Sequence, residues 1–93
     1  MSKKSPKQLN EGDIVYTDFR GVCRVRGTKM TFREEWGEER LCYILEYILT
    51  DNIAGCYEGN ITTHTVWTRN RLTYLGKNLT NEEAKQLYKI VML

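Results

Sequence analysis

Three runs rich in β-forming residues open this chain, and the glycine-containing turns between them constrain its fold more than any other feature. The runs cover residues 14–16, 22–32 and 40–49. A turn over 18–21 connects the first two, and the segment 34–39, with Gly37 at its centre, predicts an extended antiparallel hairpin between the second and third. Gly27 interrupts the second run, and a glycine inside a strand is typical of a bulge or a bend.

The third run is apolar on both of its faces, which leaves two interpretations. Such a strand either lies at the centre of a sheet and is covered on both sides, or it leaves an apolar patch free for a partner. One face carries the odd-numbered residues, and the other the even-numbered ones: Leu41, Tyr43, Leu45, Tyr47 and Leu49 against Cys42, Ile44, Glu46 and Ile48.

The second half of the chain predicts two short strands and one helix. A turn-rich loop over 50–59 leads to a β-branched strand at 62–68, one helical turn at 69–71 and a last strand at 72–75. This order predicts a mainly β fold, a five-stranded SH3-like (Tudor-like) barrel over residues 11–78. Thr80 and Glu83 form a capping box for a C-terminal α-helix within 79–93, which we expect to pack over an open end of the barrel.

Charge and composition indicate a single cytoplasmic domain. The 93 residues include 14 basic and 12 acidic side chains, a net charge of +2 that falls short of the basic footprint of a dedicated nucleic-acid binder. Residues 1–10 are predicted to be a flexible basic tail with Lys3, Lys4 and Lys7. Neither an apolar signal core nor an apolar run of membrane-spanning length occurs, and the three cysteines do not form a disulfide framework.

The sequence offers little for catalysis or for metal binding. His64 with Cys23, Cys42 and Cys56 is the conceivable metal set, but these residues lack the close pairing of metal-ligand motifs. We interpret the cysteines as small apolar residues and His64 as an exposed strand residue. We therefore predict no catalytic residue, no metal and no cofactor, and a protein that binds another macromolecule instead of acting as an enzyme.

Three motifs resemble a known family. Gly12-Asp13-x-Val15-Tyr16, Gly21-Val22-x-Arg24-Val25 and Tyr43-Ile44-Leu45-Glu46 are similar to the N-terminal domain of the CarD family, the Tudor-like module shared with the transcription-repair coupling factor. The resemblance covers about residues 11–49. It implies an SH3-like barrel that binds the β subunit of bacterial RNA polymerase.

The chain also departs from this family. Cys23 stands where the family usually has a glycine, the turn before Gly21 lacks the usual proline, and no separate helical DNA-contacting domain follows the barrel. The resemblance therefore implies either a stand-alone polymerase-binding module or a competitor of larger factors, in the manner of a small phage-encoded regulator.

Docking could use an exposed strand edge or a patch of aromatic residues and arginines. By analogy with the family, the second and third strands supply the expected partner-binding residues: Val22, Arg24, Arg26, Thr28, Cys42, Ile44, Glu46 and Ile48. The alternative is a nucleic-acid-binding SH3-like or KOW-type domain that uses Lys3, Lys4, Lys7, Arg24, Arg26, Arg69 and Arg71. The acidic residues Glu34, Glu35, Glu38 and Glu39 would repel a phosphate backbone and favour a protein partner.

Overall fold

A computed structural model describes residues 8–17, 21–50 and 57–92, with side chains up to Ile90. Its elements follow the order β1 Asp13–Thr17, β2 Gly21–Arg33, β3 Glu38–Leu49, β4 Ile61–Thr65, a 3₁₀ helix Val66–Arg71, β5 Leu72–Lys77 and α1 Asn81–Met92. The predicted turn at 18–21 and most of the loop at 50–59 lie outside the described residues.

The five strands form one antiparallel sheet in the order β4-β3-β2-β1-β5. The 3₁₀ helix connects the two outermost strands, and the hydrogen-bonded pairings of the described strands do not join β4 to β5. The expected mainly β fold with five strands and a C-terminal helix is thus confirmed. The strand order and the 3₁₀ helix match an SH3-like barrel in which the hydrogen-bonded pairings of the described strands leave β4 and β5 unjoined.

The bounds of the last two strands differ from the sequence-based expectation. β4 ends at Thr65, opposite Cys42, and Val66 and Trp67 belong to the 3₁₀ helix. The Thr68 hydroxyl stabilises this early turn by donating to the Thr65 carbonyl oxygen at 3.2 Å. β5 continues to Lys77 because β1 pairs with it as far as Asp13.

The main core lies on one face of the sheet and includes a residue that the sequence analysis assigned to the tail. Leu9 is only 4% exposed. Its backbone N–H donates to the buried Tyr43 hydroxyl at 3.1 Å, and the N–H of Asn10 donates to Oδ2 of Asp13 at 2.8 Å. The ordered part of the barrel therefore begins before Glu11. The buried members of this cluster are Leu9, Val15, Cys23, Val25, Tyr43, Leu45, Tyr47 and Leu72.

A second core cluster lies on the opposite face of the strands, where α1 covers it. Ile14, Val22 and Ile48 pack with Ala84 of the helix. These residues alternate along their strands with members of the main core, so α1 covers a face of the sheet instead of an open end of the barrel. The rings of Tyr16 and Tyr88 lie 5.5 Å apart beside this cluster.

The capping box at the start of α1 is confirmed. The Thr80 hydroxyl accepts the N–H of Glu83 at 3.1 Å, and the Glu83 carboxylate accepts the N–H of Thr80 at 2.9 Å. These bonds satisfy backbone donors that the first turn of a helix leaves without partners. Within the described chain, no helix combines the length and the apolar character needed to cross a membrane.

Candidate protein-interaction surface

A two-stranded arm extends from the sheet and comprises residues 26–41. β1 pairs with β2 only as far as Arg24, and β4 pairs with β3 only from Cys42 to Glu46, whereas β2 and β3 remain paired up to Arg33 and Glu38. The register of β2 shifts between Val25 and Gly27, which confirms the bulge expected at Gly27. The bulge lies at the base of the arm, where β2 separates from β1.

The tip of the arm is a tight turn over 34–37. The backbone N–H groups of Trp36 and Gly37 both donate to the Arg33 carbonyl oxygen, at 3.0 and 3.1 Å. Gly37 has a φ of 68°, in the left-handed region that glycine adopts at little cost. The turn therefore holds the Trp36 side chain at a defined place beside the two strands.

One face of the arm is an exposed apolar strip formed by Met30, Phe32 and Leu41. These side chains are 54%, 57% and 37% exposed. Met30 lies opposite Leu41, and the next pair on the same face is Thr28 with the buried Tyr43. The strip thus continues the core face of the sheet beyond the part that the other strands cover. Clustered exposed apolar side chains of this kind indicate an interaction surface.

The opposite face of the arm carries a stack of arginines and tryptophans. The Arg40 guanidinium carbon lies 5.0 Å from the ring centre of Trp36 and 4.7 Å from that of Trp67, which is 70% exposed. Arg33 lies 5.0 Å from the centre of the Trp36 ring and donates to the Thr63 hydroxyl at 3.1 Å. Arginine and tryptophan are the residue types enriched at interface hot spots, so this arginine–tryptophan stack is a second candidate contact surface.

Carboxylates offset the charge of the stack. Arg40 pairs with Glu38 at 3.1 Å and Arg33 pairs with Glu35 at 3.7 Å. The arm as a whole contains four basic and four acidic residues. A phosphate backbone would meet repulsion from these carboxylates at the same place, whereas a protein partner can match a mixed pattern of charges.

The structure buries three of the expected partner-binding side chains. Val22 and Ile48 lie beneath α1, and Cys42 is also fully buried, with its thiol 3.6 Å from the Arg40 carbonyl oxygen. Arg24 is half-buried, and its Nη2 donates to Oδ1 of Asn81 at the start of α1, at 2.8 Å. The side chains of Val22, Cys42 and Ile48, which we expected to contact a partner, are therefore covered by the protein itself, and the structure leaves them little surface for such a contact.

The remaining expected residues lie at or beside the base of the arm. Arg26 pairs with Glu46 at 3.5 Å, Thr28 is exposed, and Ile44 is half-buried where β3 meets Gly27 and Thr63. The sequence analysis did not select the most exposed apolar residues of the arm as contact residues. A usable signal was the alternation of polar and apolar residues from Lys29 to Arg33, shortly after the bulge glycine.

Three of the four described arginines named for nucleic-acid binding already bond within the protein. Lys3, Lys4 and Lys7 lie outside the described residues. Arg24 and Arg26 contact Asn81 and Glu46, and Nη1 of Arg69 donates to the Leu72 carbonyl oxygen at 2.6 Å. Arg71 is exposed at the end of the 3₁₀ helix.

His64 takes part in the turn that follows β4. Its Nε2 lies 2.9 Å from the Thr68 carbonyl oxygen and 3.0 Å from the Thr68 hydroxyl. Since a carbonyl oxygen only accepts, the proton resides on Nε2 in this contact. The half-buried His64 is thus less exposed than expected. Across the described ranges, no three His, Cys, Asp or Glu side chains approach closely enough to hold a metal ion.

A cleft of about 440 Å³ opens between the first described residues and β5. Two of its charged groups already bind the backbone, since Asp13 accepts from Asn10 and Arg69 donates to Leu72. These bonds hold the walls of the cleft in place. The lining residues are Gln8, Leu9, Asn10, Asp13, Arg69, Tyr74 and Lys77.

No protein-family model matches this chain, no curated protein matches it, and no solved structure matches it.

Proposed function

We propose that this protein is a non-enzymatic docking module whose arm binds another protein of the bacterial cytoplasm. Our first candidate for the partner is the β subunit of RNA polymerase, and the consequence of binding is regulation of transcription. The three cysteines, at spacings of 19 and 14 residues, do not form a disulfide framework, as suits a reducing compartment.

The observation that carries the proposal is the apolar strip. Burial of a side chain such as methionine, phenylalanine or leucine stabilises a protein by roughly 1.5–3 kcal/mol, and the arm leaves Met30 and Phe32 more than half exposed. A partner that covers the strip would recover part of this free energy. The arginine–tryptophan stack on the other face adds polar contacts that fix the orientation of the partner.

Support for the polymerase comes from the sequence resemblance, and the matching residues lie mainly in structural positions. Asp13, Val15 and Val22 are buried. Gly12 and Gly21 have φ angles of 93° and 98°, which favour glycine. The motifs thus specify the barrel and do not by themselves identify partner-contacting residues. The proposal that the partner is the polymerase therefore needs a direct binding test.

The test compares a strip variant with a matched control in bacterial lysate. The double substitution Met30→Ser and Phe32→Ser removes the strip, and Ile90→Ser changes a side chain on α1 that is 71% exposed. Tagged versions of the wild type and both variants are incubated with lysate, with and without nuclease. Far-UV circular dichroism and thermal unfolding establish that each variant is folded.

We expect the wild type and Ile90→Ser to recover polymerase subunits in both lysates, and the strip variant to recover at most a tenth as much. Equal recovery by the strip variant would show that the apolar strip is not the docking surface. Recovery that disappears with nuclease would indicate nucleic-acid binding instead, and the absence of polymerase from every sample would remove the polymerase as the partner.

A further inference from the structure

We propose, building on the docking function above, that the arm binds an extended strand along the free edge of β2, and that this strand alternates acidic and apolar residues. The segment concerned is 26–33, which we call the β2 edge. Partner binding by strand addition uses main-chain hydrogen bonds for affinity and alternate side chains for specificity.

The β2 edge has β3 on one side and no described strand on the other. β1 stops pairing at Arg24, and the last described bond on that side joins the Gly12 N–H to the Val25 carbonyl oxygen at 2.8 Å. β2 itself continues to Arg33. Eight residues at about 3.3 Å each give an edge of roughly 26 Å, long enough for a strand of ordinary length. Thr28, Lys29, Met30 and Phe32 are all exposed along it.

The side chains of the β2 edge alternate between two kinds. Thr28, Met30 and Phe32 lie on the face of the apolar strip, because their partners on β3 are Tyr43, Leu41 and Glu39. Lys29 and Arg33 lie on the opposite face, across from Cys42 and Glu38.

A strand that pairs with this edge places its own side chains beside these in the same period of two. Apolar residues would then pack beside Met30 and Phe32, and an acidic residue beside Lys29. Arg26 and Arg33 already pair with glutamates of this chain, whereas Lys29 is exposed and takes part in none of the ion pairs found among the described residues. Charge complementarity at Lys29 therefore selects an acidic side chain of the partner.

A second copy of this chain is the competing occupant of the β2 edge. Directly opposite residues of paired strands share a face, so two copies of this edge pair antiparallel only in registers that join odd with odd and even with even residues. The register centred on Lys29 places two lysines opposite each other, which like-charge repulsion disfavours, and a lysine on an exposed edge opposes self-association in general. We therefore expect the free protein to sediment as a monomer at the concentrations of the binding assay described below, and a dimer that the substitutions Met30→Ser and Phe32→Ser dissociate would overturn the acidic-strand proposal.

The probe is a fluorescein-labelled nine-residue peptide that alternates glutamate and valine, with binding followed by fluorescence anisotropy. One comparison peptide alternates lysine and valine, and another has the glutamates and valines in separate blocks. Two further peptides carry N-methyl groups at alternate positions, one at the odd and one at the even residues. A strand added to an edge directs alternate N–H groups toward it, so only one of the two methylated sets should interfere.

We expect the Glu/Val peptide to bind at least tenfold more tightly than the Lys/Val and block peptides. One N-methylated peptide should lose at least tenfold in affinity, and the other should stay within about threefold of the parent. Lys29→Glu should weaken the Glu/Val peptide and improve the Lys/Val peptide, whereas the control Lys89→Glu, at an exposed position of α1, should change neither.

No binding, equal binding of the Glu/Val and Lys/Val peptides, or equal effects of the two methylation patterns would overturn the strand-addition proposal. The lysate experiment separates its failure from that of the docking function. If polymerase capture depends on Met30 and Phe32 but no peptide binds, the docking function stands and the strand-addition proposal is wrong. If capture by the wild type also fails, the polymerase proposal fails with it.

Discussion

Replacement of Gly21 by alanine should destabilise the protein much more than the same change at Gly37. Gly21 is the first residue of β2 and has a φ of 98°. A Cβ atom there would overlap the Leu49 carbonyl oxygen and lie 3.1 Å from the Cα of Thr50. Gly37 also has a positive φ, 68°, but a Cβ there meets nothing within 4 Å. The two substitutions share a backbone penalty, and only the first adds a clash.

The expected losses in free energy of unfolding follow from the backbone penalty and from the clash. A left-handed conformation costs an alanine roughly 1–2 kcal/mol, so Gly37→Ala should lower the free energy of unfolding by about that amount. Overpacking against neighbouring atoms typically costs a further ~1–3 kcal/mol, which gives roughly 2–5 kcal/mol for Gly21→Ala. The carbonyl group of Leu49 is part of β3, so relief of the clash requires movement of paired strands.

Urea unfolding, followed by far-UV circular dichroism, measures the loss in free energy of unfolding for each variant. Thermal unfolding provides a check. Each 1 kcal/mol corresponds to a shift in the melting temperature of about 4–8 °C for a domain of this size. Equal free-energy losses for the two variants would refute the argument, because the clash with Leu49 would then contribute nothing.

Three further pairs of substitutions test other contacts. Tyr43→Phe removes the buried hydroxyl that accepts the Leu9 N–H, and it should lower the free energy of unfolding in urea by about 1–3 kcal/mol. The control Tyr57→Phe, at an exposed ring, should lower it by less than about 0.5 kcal/mol, and equal losses would contradict the role of the Tyr43 hydroxyl. Ile48→Ala, beneath α1, should cost about 2–5 kcal/mol, and the exposed Ile61→Ala less than 1 kcal/mol; similar values would contradict the second core. Thr80→Ala should cost about 1 kcal/mol and increase amide exchange in the first turn of α1, with Thr73→Ala on β5 as the control; unchanged exchange would argue against the cap.

Local signals in the sequence predict the elements well. Alternation of side chains and turn glycines give the β2–β3 hairpin, and the bulge occurs at Gly27 as expected. The capping box needs only Thr80 and Glu83, because both of its hydrogen bonds span three residues. β5 was predicted too short because its end at Lys77 depends on pairing with Asp13, which is distant in sequence.

The candidate surface was predicted less well, since accessibility depends on which elements cover a strand. Both faces of the third run are apolar, and the sequence left open whether they are covered or exposed. Both interpretations apply, at different ends of β3: Tyr47 and Ile48 are buried, whereas Leu41 is exposed on the arm. The sequence of β3 does not distinguish its buried end from its exposed end, because the difference comes from α1 and the main core, which pack against the end with Tyr47 and Ile48.

The order of the strands along the chain, the hairpin, the bulge and the cap of α1 follow from local sequence signals, because each depends on backbone geometry and on neighbours close in the chain. The covering of Val22 and Ile48 by α1, the entry of Leu9 into the core and the exposure of Met30 and Phe32 do not follow from such signals. Burial depends on contacts between segments far apart in sequence, and local patterns do not specify these contacts. A residue's own pattern indicates which face it occupies, and the packing of other elements decides whether that face is available to a partner.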